Sequence, residues 1–182
     1  MSFDNWVLET AVHQRTPWLV DTVDVITDSG GTLSVWMIAS VLTITLLMRA
    51  RRVDALMVAG SMLTGLLVMT GLKHIFTRTR PPIPERLVEI DSYSFPSGHA
   101  MMTAILATVV AAVVVRLTLP RLAKVAMLTV LAVYTVAVGF SRVYLAAHWM
   151  TDVMAGWAFG VMWAGLWIWG SSRLQRRQLQ PA

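Results

Sequence analysis

The stretch AMMTAILATVVAAVVV (residues 100–115) decides the fold, because it carries no charge before Arg116. A helix needs about 20 predominantly apolar residues to cross the roughly 30 Å hydrocarbon core of a bilayer. Four more stretches of this kind, with Lys124 as their single charge, cover residues 32–48, 55–72, 122–140 and 153–170. Five such stretches in 182 residues leave too little polar sequence to shield them from water. The sequence therefore predicts an all-α integral membrane bundle with about five transmembrane helices.

The composition agrees with a membrane protein. Hydrophobic residues make up 56% of the chain and charged residues 14%, whereas an average soluble domain has about 25% charged residues. A disordered chain and a disulfide-stapled chain are excluded, because the apolar content is high and cysteine is absent. The net charge of +5 would suggest a nucleic-acid partner in a soluble protein.

The basic residues instead set the orientation of the chain in the membrane. Nine of them lie after the first span, around the connection between the third and fourth spans, or after the fifth span. They are Arg49, Arg51, Arg52, Arg116, Arg121, Lys124, Arg173, Arg176 and Arg177. These positions fall on one side of the membrane by parity, with Asp54 as the one acid there. The positive-inside rule makes that side cytoplasmic. We therefore expect a multi-pass protein of the cytoplasmic membrane, with the N-terminus and the loops 73–99 and 141–152 outside and the C-terminus inside. We expect no nucleic-acid partner, and the sequence leaves the oligomeric state open.

Residues 1–30 differ from the apolar stretches because six charged side chains are spread through them. Phe3, Trp6 and Val7 lie at helical spacing, and Thr16-Pro17 is typical of an N-cap followed by proline at the first helical position. We expect an amphipathic helical segment that lies at the interface or packs on the bundle. The predicted division of the chain is this segment (1–30), a transmembrane domain (31–171) and a basic tail (172–182).

Polar and charged residues gather at the predicted outer ends of four spans. They are Lys73, Arg80, Ser97, Gly98, His99, Arg142, His148 and Asp152. Each has an ordinary structural explanation when taken alone. A base at a helix end snorkels to the interface, a serine before a helix is an N-cap, and a His–Asp pair at i, i+4 is a surface contact. These explanations do not account for all eight at one membrane face, whereas a bound anion does.

The charges in this set favour phosphate over a metal. Lys73, Arg80 and Arg142 are three cations, and the set contains a single acid. Two histidines and a carboxylate are a known metal-ligand set, but three cations repel a divalent metal and suit a phosphate dianion. Ser97 and Gly98 add backbone N–H groups at a helix start, where anions bind. The sequence therefore predicts a phosphate site, and we expect neither a metal nor another cofactor.

The two histidines have separable roles in such a site. Asp152 is placed to accept a hydrogen bond from one ring nitrogen of His148, which fixes the tautomer and leaves the other nitrogen as a nucleophile. His99 is placed to protonate the leaving oxygen. This assigns the roles of nucleophile, orienting residue and general acid.

Three motifs resemble a known family signature. They are Lys73-(six residues)-Arg80-Pro81, Pro96-Ser97-Gly98-His99 and Ser141-Arg142-(five residues)-His148-(three residues)-Asp152. Their order and spacing resemble the three-part signature of the type 2 phosphatidic acid phosphatase superfamily. That superfamily includes bacterial undecaprenyl pyrophosphate and phosphatidylglycerophosphate phosphatases, and also vanadium haloperoxidases. The span count departs from the family pattern: many bacterial relatives have six spans, and we expect this chain to begin after the first of them.

The resemblance implies a metal-independent lipid phosphatase that hydrolyses a phosphomonoester or pyrophosphate through a phosphohistidine. It implies that His148 is the nucleophile, Asp152 its orienting residue, and His99 the general acid and later the base. The residues implied to hold phosphoryl oxygens are Lys73, Arg80, Ser97, Gly98 and Arg142.

Several alternatives stay open at this level. A phosphotransferase would use the same intermediate, and a vanadate-dependent haloperoxidase the same cradle, although the haloperoxidases are longer and soluble. A non-enzymatic lipid carrier is disfavoured by the intact signature. His13 and His74 lie outside the signature and are expected to be structural, while Arg78 either attracts the head group or lies at the water surface. Undecaprenyl pyrophosphate and phosphatidylglycerophosphate are the leading substrates by resemblance.

Overall fold

The computed structural model describes residues 2–82 and 84–178, and over these ranges the chain consists of helices and their connections. The helices are α1 (Phe3–His13), α2 (Pro17–Ser29), α3 (Thr32–Met48), α4 (Arg52–Phe76), α5 (Gly98–Val115), α6 (Arg121–Tyr144) and α7 (Met150–Gln178). The predicted all-α bundle is confirmed. Helix α7 continues into the predicted tail, of which residues 179–182 and the side chains of Arg177 and Gln178 lie outside the described part. The division of the chain into three parts stays a prediction.

Four helices are long and apolar enough to cross a membrane: α4, α5, α6 and α7 up to Arg176. Helix α3 has 17 residues, and it passes the same test only together with α2, from which it is bent by 43°. The described residues thus contain four spans, or five if this bent pair crosses as one. The first predicted span coincides with α3, which reaches spanning length only together with α2, a part of the segment that we assigned to the interface.

The N-terminal segment packs on the bundle. The Ser2 hydroxyl caps α1 by accepting a hydrogen bond from the Asn5 N–H (3.3 Å), and Pro17 begins α2. The Arg15 guanidinium donates twice to the carbonyl oxygen of Tyr144 at the end of α6 (3.1 and 2.7 Å). These contacts hold α1 and α2 beside the end of the bundle where the candidate site lies.

Two glycines bring α7 against α5. A Cβ atom on Gly156 would lie 2.8 Å from the carbonyl oxygen of Ser97, and one on Gly160 would lie 2.6 Å from that of Met101. Both distances are shorter than real Cβ contacts, so α7 approaches the α5 backbone only because these positions lack side chains. Spacing of the form Gly-x-x-x-Gly is typical of close membrane helix pairs. The start of α7 therefore lies beside the start of α5.

A buried carboxylate joins three helices at the opposite end of the bundle. Asp54 at the start of α4 accepts hydrogen bonds from Arg51 (2.8 Å), from Arg116 after α5 (2.5 Å) and from Gln175 in α7 (3.2 Å). We call these four residues the Asp54 cluster. Two arginines compensate the single buried acid, which is what a buried charge requires.

Candidate active site

A cavity of about 400 Å³ lies among the ends of α2, α4, α5 and α6. Its polar wall contains six of the predicted site residues and also Asp28, Glu89 and Ser92; the six are Lys73, Arg80, Gly98, His99, Arg142 and His148. Its apolar wall contains Val35, Trp36, Leu66, Met69 and Met102 from α3, α4 and α5. Six of the eight predicted site residues thus face one cavity, whereas Ser97 and Asp152 are fully buried behind its wall.

Asp152 is held beside His148 by the start of α7. His148 precedes the first residue of that helix, and its Nδ1 lies 3.5 Å from Asp152 Oδ2. The same oxygen accepts hydrogen bonds from the Trp149 N–H (3.0 Å) and from the Ser94 hydroxyl (2.5 Å). The bond to Trp149 resembles the backward contact of a capping box, in which an acid in the first turn binds the N–H of the cap residue. The local helix start therefore fixes the carboxylate that faces the imidazole.

His148 is neutral at physiological pH. Burial lowers its pKa well below the usual value, and the nearby charges of Arg80, Lys73 and Arg142 lower it further, while the hydrogen bond with Asp152 acts in the opposite direction. His148 Nε2 lies 3.1 Å from Nη1 of Arg80. A guanidinium only donates, so Nε2 is the acceptor and the ring proton lies on Nδ1, towards Asp152. This is the protonation state that a histidine nucleophile requires.

The three cations differ in how many of their hydrogen-bond donors already have a partner within the protein. Lys73 Nζ donates to the carbonyl oxygen of Tyr93 (2.5 Å). Arg80 donates to the carbonyl oxygens of Ser92 (2.7 Å) and Ala147 (2.6 Å). Burial lowers the pKa of Arg80 to about 10, so it stays charged at neutral pH.

Arg142 has the least occupied donors of the three. Its Nη1 donates to the Thr27 hydroxyl of α2 (2.6 Å). Its Nε is buried and has no hydrogen-bond partner among the residues that the structure describes. A buried donor without a partner is costly in the free protein. Arg142, a residue of the cavity wall, therefore keeps one guanidinium donor unpaired.

The start of α5 differs in part from the prediction. Ser97 is the N-cap, and its hydroxyl accepts a hydrogen bond from the Ala100 N–H (3.5 Å). Its own N–H donates to the carbonyl oxygen of Asp152 (3.0 Å), so this group ties α5 to α7 and is not free for an anion. A Cβ atom on Gly98 would meet only Met69, at an ordinary 3.5 Å. Packing within the protein therefore does not require glycine at position 98, where the backbone borders the cavity.

The comparison with known families decides where the chain belongs. The model of the PAP2 superfamily matches residues 54–176 of the 182. The chain belongs to the PAP2 superfamily. This confirms the resemblance drawn from the three motifs, since the type 2 phosphatidic acid phosphatases are this superfamily.

Curated relatives of this PAP2 protein are lipid phosphatases by name. It is 34% identical over 163 residues to phosphatidylglycerophosphatase B of Bacillus subtilis (strain 168), covering 88% of this chain and 79% of the relative. It is 36% identical over 93 residues to an undecaprenyl-diphosphatase of Sulfolobus acidocaldarius, covering 48% of this chain and 41% of that relative. These matches confirm the predicted enzyme class, a membrane lipid phosphatase.

Solved structures support the same assignment. The crystal structure of the first transmembrane PAP2 type phosphatidylglycerolphosphate phosphatase, from Bacillus subtilis, matches with a TM-score of 0.84 and 31% identity over 93% of this chain and 84% of that chain. The structure of Aquifex aeolicus LpxE matches with a TM-score of 0.75 over 92% of this chain and 96% of that chain. Its 19% identity makes it evidence for the fold alone.

Four side chains that the motifs did not indicate lie at or behind the site of this PAP2 protein. They are Asp4, Thr27, Arg78 and Ser94. Arg78 has a contact that neither predicted alternative included, because it donates to Asp152 Oδ1 (2.6 Å). The sequence contained a local signal that Arg78 lies near the site, because it is two residues before the motif residue Arg80. Asp4 and Thr27 reach the site only through tertiary packing of α1 and α2, which no spacing in the sequence reveals.

Proposed function

We propose that this PAP2 protein hydrolyses a phosphomonoester or pyrophosphate group of a membrane lipid through a phosphohistidine at His148. The observation that carries the proposal is a neutral, buried His148 whose Nε2 borders a cavity lined by Lys73, Arg80 and Arg142. A phosphate group would bring negative charge to three cations that otherwise repel one another. The contact between Arg80 and Nε2 would then be replaced by contacts from both groups to the phosphate.

The proposed reaction has two steps. His148 Nε2 attacks phosphorus, the bond from phosphorus to the lipid oxygen breaks, and His99 gives a proton to that oxygen. Water then attacks the phosphohistidine, His99 takes a proton from that water, and inorganic phosphate leaves as His148 regains its lone pair. Asp152 stabilises the positive imidazole in both steps, and Arg142 holds phosphoryl oxygens with the donor that is unpaired in the free site.

The apolar wall of the cavity favours a lipid over a soluble phosphate. Val35 and Trp36 of α3 and Met102 of the candidate span α5 line the same cavity as the three cations. A lipid can keep its tail along these side chains while its phosphate reaches His148. We therefore place the site at head-group depth in the outer leaflet, because the basic residues at the other end of the bundle favour the cytoplasm for that end.

Phosphatidylglycerophosphate is the leading substrate in this proposal, and undecaprenyl pyrophosphate is second. The relative named for the first activity aligns over 88% of this chain, whereas the relative named for the second aligns over 48%. Transfer of the phosphoryl group to an alcohol remains a competing second step, since the same phosphohistidine serves both reactions.

The test measures phosphate release by purified protein in detergent from phosphatidylglycerophosphate, undecaprenyl pyrophosphate and phosphatidate. We expect release from at least one of them, with chelator present, and loss of release in His148→Ala. His13→Ala is the matched control, because His13 is exposed on α1. Substantial turnover in folded His148→Ala would reject the nucleophile. Phosphorylated alcohol in place of free phosphate would identify a phosphotransferase.

A further inference from the structure

Helix α1 reaches the candidate active site through one carboxylate. Asp4 Oδ1 accepts a hydrogen bond from the Thr151 N–H (2.9 Å), and Oδ2 accepts one from the Thr151 hydroxyl (2.6 Å). Oδ2 also accepts a charged hydrogen bond from Arg78 Nη2 (2.7 Å). Burial alone would raise the pKa of Asp4, but the hydrogen bonds from Thr151 and Arg78 outweigh it and lower the pKa. Asp4 is therefore an anion at neutral pH.

Arg78 links this carboxylate to Asp152. Its Nη1 donates to Asp152 Oδ1 (2.6 Å) and to the Thr151 hydroxyl oxygen (2.7 Å). Its guanidinium carbon lies 5.8 Å from the centre of the Trp149 ring. One arginine thus bridges two acids, and the planar fork of a guanidinium fixes the direction of both contacts.

These contacts hold both oxygens of Asp152. Arg78 holds Oδ1, while Ser94 and Trp149 hold Oδ2, the oxygen that faces His148. The Asp152 side chain is fully buried, so water does not replace a contact that is lost. If Arg78 were absent, Oδ1 would be a buried acceptor without its partner, and the carboxylate would be free to turn away from the imidazole.

We propose that Asp4 and Arg78 are positioning residues, which hold Asp152 in the orientation that keeps His148 ready for attack. The N-terminal helix is then part of the active site and more than a membrane-surface attachment. This inference rests on the proposed function, because it assigns the two residues a role in a step at His148. A merely structural ion pair would affect melting temperature and leave kcat unchanged.

The test compares kcat and KM of phosphate release in four variants. Arg78→Met should lower kcat about 100-fold with little change in KM, because a misplaced catalytic group affects the chemical step. Asp4→Asn should lower kcat about 10-fold, a size typical of lost outer contacts. The double variant should have the kcat of Arg78→Met, since Asp4 acts through Arg78. Arg78→Lys keeps the charge and should recover part of the loss.

Glu9→Gln is the matched control for Asp4→Asn, because it removes an exposed carboxylate from the same helix. Its kcat should equal that of the unmodified protein. The decisive comparison is Asp4→Asn at an unchanged melting temperature, since this substitution preserves size. A wild-type kcat there, an effect on KM alone, or additive losses in the double variant would overturn the positioning role. Absence of phosphatase activity in the unmodified protein would instead overturn the proposed function.

Discussion

The two ends of the bundle bury charge in opposite ways. In the Asp54 cluster, cations and a carboxylate meet directly, and the acid accepts hydrogen bonds from three side chains, those of Arg51, Arg116 and Gln175. The cluster joins α4, α5 and α7, and its charges are compensated within the protein. A buried ion pair of this kind is a structural element, because removing one partner leaves the other uncompensated.

At the other end, which we call uncompensated, three cations have no salt-bridge partner among the described residues, although Asp28 and Glu89 also line their cavity. Lys73, Arg80 and Arg142 line one cavity, and the nearby Asp152 is turned towards Ser94 and Arg78 behind the wall. Like charges at short range repel most strongly where water is scarce. The difference between the ends teaches that buried cations without a salt-bridge partner beside a cavity indicate a ligand, whereas directly paired charges indicate structure.

The largest expected effect on stability is at the compensated end. Asp54→Ala should lower the free energy of unfolding by about 3 kcal/mol, because two partly buried arginines lose their counter-charge. The kcat of the protein that remains folded should not change. Thermal unfolding and phosphate release, measured on the same preparation, test this. Lost kcat with unchanged stability would mean that the Asp54 cluster has a role in catalysis.

At the uncompensated end we expect the reverse, which is a loss of activity without a loss of stability. Arg142→Lys should lower kcat/KM, and the drop should correspond to a loss of about 2–4 kcal/mol of transition-state stabilisation. The reason is that an ammonium cannot replace two guanidinium donors to phosphate. The melting temperature should be equal or slightly higher, since an unpaired buried donor at Nε is removed. Kinetics on lipid substrate and a melting curve measure the two quantities. An unchanged kcat/KM would exclude direct contact between Arg142 and phosphate.

The sequence predicted most of the fold because its main signals are local. Apolar run length located α4 to α7, and the fixed motif spacing located the residues that line the cavity. It did not predict that α3 reaches spanning length only together with α2, because an Asp-rich segment is locally typical of the interface. The sequence also contained no indication of Asp4 and Thr27, because their contacts at the site join residues 147 and 115 positions apart. Nor did it indicate that the Ser97 N–H donates to the carbonyl oxygen of Asp152 in α7.

The close contact between α5 and α7 has a local signature in the sequence. Gly156 and Gly160 have the spacing of close helix pairs. Gly160→Val should destabilise the protein by about 1–3 kcal/mol, because its Cβ atom overlaps the α5 backbone. It should also lower kcat, since α7 carries Asp152 past the start of α5. Gly165→Val is the control, because no atom of a neighbour lies within 4 Å of a Cβ atom there. Equal melting temperatures for the two variants would contradict the predicted packing role.

The smallest expected effect is the stabilisation of the folded protein by inorganic phosphate, which tests where the anion binds. Inorganic phosphate at about ten times its dissociation constant should stabilise the folded protein by about 1.4 kcal/mol, because a ligand that binds only the folded state shifts the unfolding equilibrium. The gain in melting temperature should persist in an Asp54→Asn variant and shrink in Arg142→Lys, since only the second substitution alters the proposed phosphate site. A gain that disappears in Asp54→Asn and persists in Arg142→Lys would place the anion at the compensated end. That result would contradict the inference that uncompensated charge indicates the ligand site.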